Sequence, residues 1–103
     1  MSEQTGTFYA VSVGPGDPEL LTLQAVRVLE NTPVIAAPQT ASGQMLALDI
    51  ARGAVDLTGK SVLPLRFTMS HDAAVRAKSY RAAASAVEAE LRQGRDVAMV
   101  NLG

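Results

Sequence analysis

The chain contains no cysteine and no tryptophan, and it has a single histidine, His71. The absence of cysteine excludes a disulfide framework, a cysteine-ligated zinc site and a thiol nucleophile. A histidine-based metal site is disfavoured, because such a site generally needs more than one histidine ligand. With two tyrosines and two phenylalanines among 103 residues, we expect a mainly aliphatic core.

An excess of charge of one sign is also lacking, since nine Lys and Arg stand against ten Asp and Glu. This balance gives neither the excess of basic residues that is typical of nucleic-acid binding nor the polybasic segment that is typical of binding to a membrane surface. The N-terminus lacks a basic region followed by an apolar stretch, and no apolar run approaches the roughly 18 residues of a membrane span. We therefore expect a soluble, cytoplasmic protein with no nucleic-acid or membrane partner.

The length fits one domain, residues 1–103. Apolar runs at 7–13, 34–37, 61–67 and 97–103 are typical of strands, and helical spacing of apolar residues predicts helices over 22–31, 44–52 and 72–93. This order indicates an α/β fold, a parallel sheet of about four strands with flanking helices and right-handed crossovers. Because domains of this class rarely end on the last residue of a strand, we expect the chain to be a fragment.

Individual residues make these predictions more specific. Thr22 is placed to cap the first helix and Gly94 to end the third. The first strand is apolar at nearly every position, which predicts burial on both faces. Pro38 is expected to close the second strand, and Pro64 predicts that the third strand is broken, bulged or at an edge. The third helix carries an apolar stripe expected to pack in the core, formed by Val75, Tyr80, Ala83, Ala84, Val87 and Leu91.

The loop at residues 14–18 (GPGDP) follows the first strand directly. Its glycines permit close approach to the backbone and its prolines stiffen it, at a place where open α/β sheets hold ligands. A dinucleotide site is disfavoured, because Glu19 replaces the third glycine of that fingerprint and residues 36–38 lack the acid for the ribose. No Gly-Lys-Ser/Thr follows, so a P-loop is disfavoured too. From these residues alone, a structural turn and half of a cofactor site are equally good interpretations.

Other residues able to carry chemistry are scattered along the chain. His71 beside Asp72 could act as a general base, although a capping or surface pair is the commoner role. Arg66 and Arg76 could meet substrate carboxylates, with solvated charge as the alternative that we favour for Arg76. Met69 could line a pocket or simply pack. No nucleophile–base pair and no paired carboxylates can be derived from the spacing, which disfavours chemistry that needs an acid, a base or a metal.

Two motifs carry a family resemblance. The first motif is residues 14–22 (GPGDPELLT), followed by 25–29 (AVRVL), and the second is residues 94–103 (GRDVAMVNLG). They resemble the two signatures of the tetrapyrrole methylases, the S-adenosylmethionine-dependent family of the corrin pathway. The second signature would continue with Asp-Pro. Residues 65–72 (LRFTMSHD) and 80–83 (YRAA) are similar to the subgroup that methylates C20 of precorrin-2 or of its cobalt form. The resemblance runs from residue 7 to residue 103.

This resemblance implies the N-terminal half of a two-domain tetrapyrrole methylase fold. In the family, S-adenosylmethionine lies in a cleft between the two domains, the tetrapyrrole lies in a neighbouring trough, and the chains pair as homodimers. Matched position by position, the residues expected at the cofactor are Gly14, Pro15, Gly16, Leu102 and Gly103. Those expected at the substrate are Asp17 and Met69, and no catalytic residue or metal ligand is assigned.

The activity implied is methyl transfer to C20 of precorrin-2 or cobalt-precorrin-2 in cobalamin biosynthesis. Such a transfer needs two reactants held in line, which agrees with the lack of acid–base and metal constellations. The family's second domain, which completes the cofactor site, is not among these 103 residues. We therefore expect this chain alone to be inactive and to bind S-adenosylmethionine weakly. The alternatives are a methylase for another tetrapyrrole, such as uroporphyrinogen III, and a non-catalytic α/β interaction module.

Overall fold

The strands and helices follow the predicted order. The computed structural model of the chain describes residues 5–14, 16–67 and 71–102. Its elements are β1 (Phe8–Ser12), a short 3-10 helix (Pro18–Leu20), α1 (Leu23–Asn31), β2 (Val34–Gln39), α2 (Leu46–Ala54), β3 (Ser61–Arg66), α3 (Ala73–Arg92) and β4 (Val97–Asn101). The predicted α/β fold class is confirmed.

Side-chain caps fix the starts of α1 and α3. The Thr22 hydroxyl accepts a hydrogen bond from the Ala25 N–H at 3.0 Å, and the Asp72 carboxylate accepts one from the Ala74 N–H at 2.8 Å. Each bond satisfies a donor that the first helical turn cannot pair internally. After α3, Gly94 has a φ of +80°, the left-handed conformation in which helices commonly end. The helix signals at Thr22 and Gly94 are therefore confirmed.

All four strands are parallel and lie in the order β1-β4-β2-β3. Val97 of β4 lies between Phe8 of β1 and Val34 of β2. The connections from β1 to β2 and from β2 to β3 cross the sheet in one direction, and the connection from β3 to β4 returns. Right-handed crossovers in opposite directions place their helices on opposite faces. Accordingly, α1 and α2 pack on one face and α3 packs on the other.

The core is divided between these two faces because side chains alternate along each strand. The first face, under α1 and α2, holds the larger cluster, which includes Val11, Leu29, Ile35, Leu48 and Ala98. The second face, under α3, holds a smaller cluster of Val34, Ala36, Leu65, Ala83 and Val97. Since apolar burial is the main stabilising term, most of the stability comes from the first face.

The edge strands correct two of the predictions. Of the described residues in β1, Val11 alone is buried, because β1 is an edge strand and α3 packs on β3 and β4. The predicted burial of the first strand on both faces is therefore wrong. Strand β2 runs through Pro38 instead of ending before it. Its pairing with β4 stops at Ala36, so the end of β2 is open on that side, where proline is tolerated. Pro64 lies in β3, the other edge strand, as predicted.

Helix α3 buries much less of its apolar stripe than expected. Of its 20 described residues, Ala83 alone is buried. Val75 is 45% exposed and Tyr80 is 56% exposed, although the Tyr80 ring lies 5.3 Å from the ring of Phe67. The prediction that Tyr80 is a core residue is wrong for this chain, because none of the described residues covers the second face beyond α3.

Candidate functional site

The backbones that leave β1 and β4 meet at the carboxyl edge of the sheet. The Val13 N–H donates a hydrogen bond to the Asn101 carbonyl at 2.8 Å, just beyond the end of β1. A Cβ atom on Gly14 would lie 2.4 Å from the Leu102 carbonyl oxygen, a distance that non-bonded atoms do not reach. Only glycine fits at position 14. The structure thus brings together Gly14 and Leu102, two of the residues expected at the cofactor.

The rest of the first loop is held against α2. Gly16 has a φ of +126°, which favours glycine, and the nearest atom to a Cβ placed there is Ile50 Cδ1 at 3.9 Å. The Asp17 carboxylate accepts a hydrogen bond from the Glu19 N–H at 3.0 Å and caps the 3-10 helix. Pro18 lies so close to α2 that a Cβ on Gly53 would be 2.6 Å from its Cγ. Residues 16–18 are therefore anchored beside α2, and Asp17 helps to hold them.

A cleft of about 560 Å³ lies beside Leu102, at the carboxyl ends of β2 and β4. It is lined by Pro38, Gln39, Thr40, Ala41, Gln44, Leu46, Ala47, Phe67, Asn101 and Leu102. Small-molecule sites typically have volumes of about 300–1,000 Å³ and a mostly apolar lining with a few polar groups. These lining residues carry amides and one hydroxyl but no ionisable side chain. The cleft therefore has the size and chemistry to take a cofactor-sized organic ligand by shape and hydrogen bonding.

Gln39 organises one side of this cleft, and sequence reasoning did not single it out. Its Oε1 accepts a hydrogen bond from the Arg66 Nε at 3.1 Å, and its Nε2 donates one to the Gly43 carbonyl at 3.2 Å. These bonds tie the end of β2 to the end of β3 and to the loop before α2. The pair arises from the parallel register, in which Gln39 lies opposite Arg66. Arg66 is thereby held at the carboxyl edge of the sheet.

The other predicted site residues do not line this cleft or lie outside the described residues. Pro15, Met69 and Gly103 are not among the residues that the structure describes. Asp72 caps α3, which supports the capping interpretation, and His71 is exposed at the bend before that helix. Within 5–14, 16–67 and 71–102, no group of three or more His, Cys, Asp or Glu side chains could hold a metal ion. Over the same ranges, no helix combines the length and the apolar character needed to cross a membrane.

The fold and this edge define a class of protein, a parallel α/β domain with a candidate ligand cleft beyond the carboxyl ends of its strands. A family model described as "Tetrapyrrole (Corrin/Porphyrin) Methylases" matches residues 7–103. The match covers nearly the whole chain, and the chain belongs to this family.

Similar proteins include two that match along nearly the whole chain. The "Cobalt-precorrin-2 C(20)-methyltransferase" of Salmonella typhimurium is 37% identical over 95% of this chain and 41% of its own. The "Probable cobalt-precorrin-2 C(20)-methyltransferase" of Methanocaldococcus jannaschii is 35% identical over 100% of this chain and 43% of its own. The chloroplastic "S-adenosyl-L-methionine-dependent uroporphyrinogen III methyltransferase" of Arabidopsis thaliana is 46% identical over 42% of this chain. The chain spans about two fifths of the length of the first two relatives.

Proposed function

We propose that this chain is the N-terminal α/β domain of an S-adenosylmethionine-dependent methyltransferase that acts on C20 of precorrin-2 or cobalt-precorrin-2 in cobalamin biosynthesis. The observation that carries the proposal is the junction of Gly14 with Leu102 beside an apolar cleft. This junction joins the two family motifs in a chain 37% identical to a cobalt-precorrin-2 C(20)-methyltransferase. The chain would supply one wall of the cofactor cleft.

The residues of this wall suit a reaction that depends on positioning. Gly14, Gly16 and Leu102 would contribute to holding S-adenosylmethionine, which would supply an electrophilic methyl group on its sulfonium. Gly14 and Gly16 keep the loop thin, so that a ligand can approach the backbone. Leu102, 47% exposed at the cleft, offers an apolar surface that excludes water. Gln39 fixes the opposite side of the cleft. Rigid walls of this kind contribute to rate by orienting the reactants.

The length of the matches favours the C20 substrate over uroporphyrinogen III. The two relatives named for C20 of cobalt-precorrin-2 match 95% and 100% of this chain. The uroporphyrinogen III methyltransferase and the siroheme synthases match 42–45%. Proteins named "Cobalamin biosynthesis protein CobIJ" also match 45% of the chain, so the preference for C20 depends on the two matches that run along nearly the whole chain.

Calorimetric titration of the 103-residue chain with S-adenosylmethionine tests the role of a single wall. We expect no binding in the micromolar range, because the second wall contributes the remaining contacts. Micromolar affinity of the isolated chain would contradict that expectation. A hybrid that joins this chain to the rest of the Salmonella relative is then offered precorrin-2, cobalt-precorrin-2 and uroporphyrinogen III. We expect methyl incorporation at C20 of the first or second, located by NMR.

The same hybrid separates the alternatives. Methylation of uroporphyrinogen III alone would assign the chain to that substrate. A folded hybrid that binds neither cofactor nor tetrapyrrole would favour the non-catalytic α/β module. A Gly16→Val variant of the hybrid, which adds a bulky side chain to the loop expected at the cofactor, should bind the cofactor less tightly. The matched Gly59→Val variant, in a turn far from the cleft where φ is also positive, should not change affinity.

We further propose that the longer methyltransferase is a cytoplasmic homodimer, as the family resemblance implies. Sedimentation equilibrium of the hybrid and fractionation of the source cells test these two points. A monomeric hybrid that retains activity, or recovery of the protein in the membrane fraction, would contradict them.

A further inference from the structure

Arg66 lies at the rim of the cleft, and its side chain has a neutral partner. It is the last residue of β3 and is exposed, and its Nε donates a hydrogen bond to the Gln39 Oε1 at 3.1 Å. Arg52, Arg92 and Arg95 each pair with an aspartate or a glutamate instead. The positive charge of Arg66 is therefore not compensated by an acidic side chain among the residues that the structure describes.

The hydrogen bonds of Gln39 determine which part of the guanidinium a ligand would meet. The Gln39 Nε2 donates to the Gly43 carbonyl at 3.2 Å, which fixes the amide with its Oε1 towards Arg66. A guanidinium carries donors on Nε and on its two terminal nitrogens, and it binds a carboxylate through two parallel hydrogen bonds. Because the Nε of Arg66 is bonded to Gln39, the two terminal nitrogens are the pair that a carboxylate would meet.

The neighbouring cleft suits the uncharged part of such a ligand. Gln39 lines this cleft of about 560 Å³, and none of its lining side chains is ionisable. Gln39 also lines an adjoining depression of about 220 Å³, in which Arg66 takes part. An unpaired charge is costly to bury in an apolar site. A ligand with an apolar body and acidic substituents would therefore place its body in the cleft and one substituent at the rim, beside Arg66.

The strand order separates this position from the one proposed for the cofactor. The order is β1-β4-β2-β3, and Gly14 meets Leu102 where the chain leaves β1 and β4. Arg66, at the end of β3, is two strands from β4 and three from β1, which corresponds to about 10 Å and about 14 Å along the edge. This separation favours the second reactant, the tetrapyrrole, as the ligand beside Arg66.

We propose that Arg66, oriented by Gln39, binds a peripheral carboxylate of the tetrapyrrole and thereby sets the orientation of the ring in the cleft. The proposal rests on the proposed function for the identity of the ligand, since precorrin-2 carries acetate and propionate side chains around its ring. Arg66 is a binding residue, and Gln39 is a positioning residue that acts through it. S-adenosylmethionine also has a carboxylate, so its binding is measured in parallel.

The test measures the binding of sirohydrochlorin, the oxidised form of precorrin-2, which is fluorescent and keeps the same acidic side chains. It is titrated at low salt into the hybrid of this chain with the Salmonella relative, without S-adenosylmethionine. We expect Arg66→Gln to raise the dissociation constant about tenfold, as loss of a charge-assisted hydrogen-bonded contact does. Arg66→Lys keeps the charge without the planar fork and should raise it by less. High salt should narrow the difference between the hybrid and Arg66→Gln.

The controls distinguish a site at Arg66 from a general effect of charge. Arg52→Gln removes an exposed arginine of α2 that pairs with Asp49, and it should leave the affinity for sirohydrochlorin unchanged. Calorimetry with S-adenosylmethionine should give the same dissociation constant for all of these variants. Equal affinity of the hybrid and Arg66→Gln for sirohydrochlorin, or an equal loss in Arg52→Gln, would overturn the proposal. A loss confined to S-adenosylmethionine would also overturn it, because the carboxylate would then be that of the cofactor.

A double-mutant cycle tests the positioning role of Gln39. Gln39→Met removes both amide hydrogen bonds with little change in side-chain volume. We expect it to weaken sirohydrochlorin binding several-fold in the hybrid and to have no further effect when Arg66→Gln is already present. Full additivity of the two substitutions would mean that Gln39 does not act through Arg66, which contradicts the proposed role.

The binding measurement is independent of methyl transfer. A hybrid that binds sirohydrochlorin through Arg66 but methylates no tetrapyrrole would contradict the proposed function and support this binding site. If circular dichroism shows that the hybrid does not fold, the same titrations are made with the 103-residue chain and its Arg66→Gln variant. A dissociation constant that rises about tenfold in the variant would support the proposal, and no binding or an unchanged constant would overturn it.

Discussion

Replacement of Gly14 by Ala tests the contact on which the candidate site depends. The new Cβ would lie 2.4 Å from the Leu102 carbonyl oxygen, and ordinary contact begins at 3.4 Å, so one backbone must move by about 1 Å. Neither partner is a flexible side chain that could turn away. Overpacking of this kind costs about 1–3 kcal/mol, which lowers the melting temperature of a domain of this size by about 4 °C or more.

The assay pairs thermal unfolding with amide exchange at Val13. The Val13 N–H is bonded to the Asn101 carbonyl, so separation of the two backbones should increase its exchange rate. The control is Gly59→Ala. Gly59 has a φ of +85° with no atom within 4 Å of an added Cβ, and its replacement costs about 1–2 kcal/mol through backbone strain alone. We expect both variants to be destabilised and Gly14→Ala alone to loosen Val13. A Gly14→Ala variant with unchanged melting temperature and unchanged exchange at Val13 would refute the close approach.

Three further predictions concern the stability of the fold. Thr22→Ala removes the cap of α1 and should lower the free energy of unfolding by about 1 kcal/mol in urea titration, whereas Thr22→Ser should restore most of it. Leu29→Ala, at a fully buried position, should cost about 2–5 kcal/mol, whereas Leu23→Ala at a 74% exposed position should change stability by less than about 0.5 kcal/mol. Hydrogen bonds from the Thr58 hydroxyl and N–H lower the pKa of Asp56 in the folded state. This contribution to stability is present above the unfolded pKa and is lost as the pH falls through the folded pKa, so wild type should lose more stability than Asp56→Asn between about pH 5 and pH 2.

The sequence predicted the features that depend on local chemistry. Thr22 caps a helix because its hydroxyl reaches an N–H three residues ahead, and Gly94 ends one because its own φ is positive. Both properties are encoded within a few residues. The four strands were likewise indicated by their own apolar runs. Such features are independent of what the rest of the chain does, which is why they can be derived before the fold is known.

The features that the sequence did not predict depend on neighbours distant in the chain. Tyr80 and Phe8 are apolar enough for a core, but they are exposed because no element among the described residues covers them on the second face. Gln39 became a site residue only through its register with Arg66. The clash that requires glycine at position 14 comes from Leu102, at the other end of the chain. Spacing within one sequence carries none of this information.

The support of the first loop bears on the affinity expected for the isolated chain. Strand β1, which leads into this loop, is an edge strand in which Val11 alone of the described residues is buried. The loop does not depend on β1 alone, because it is held at Gly14 against Leu102 and at Pro18 against Gly53. Anchors of this kind reduce the conformational freedom that ligand binding must otherwise remove, and removal of that freedom lowers affinity. The low affinity expected for the 103-residue chain is therefore attributed to contacts that the second domain would supply, and not to the cost of ordering the first loop.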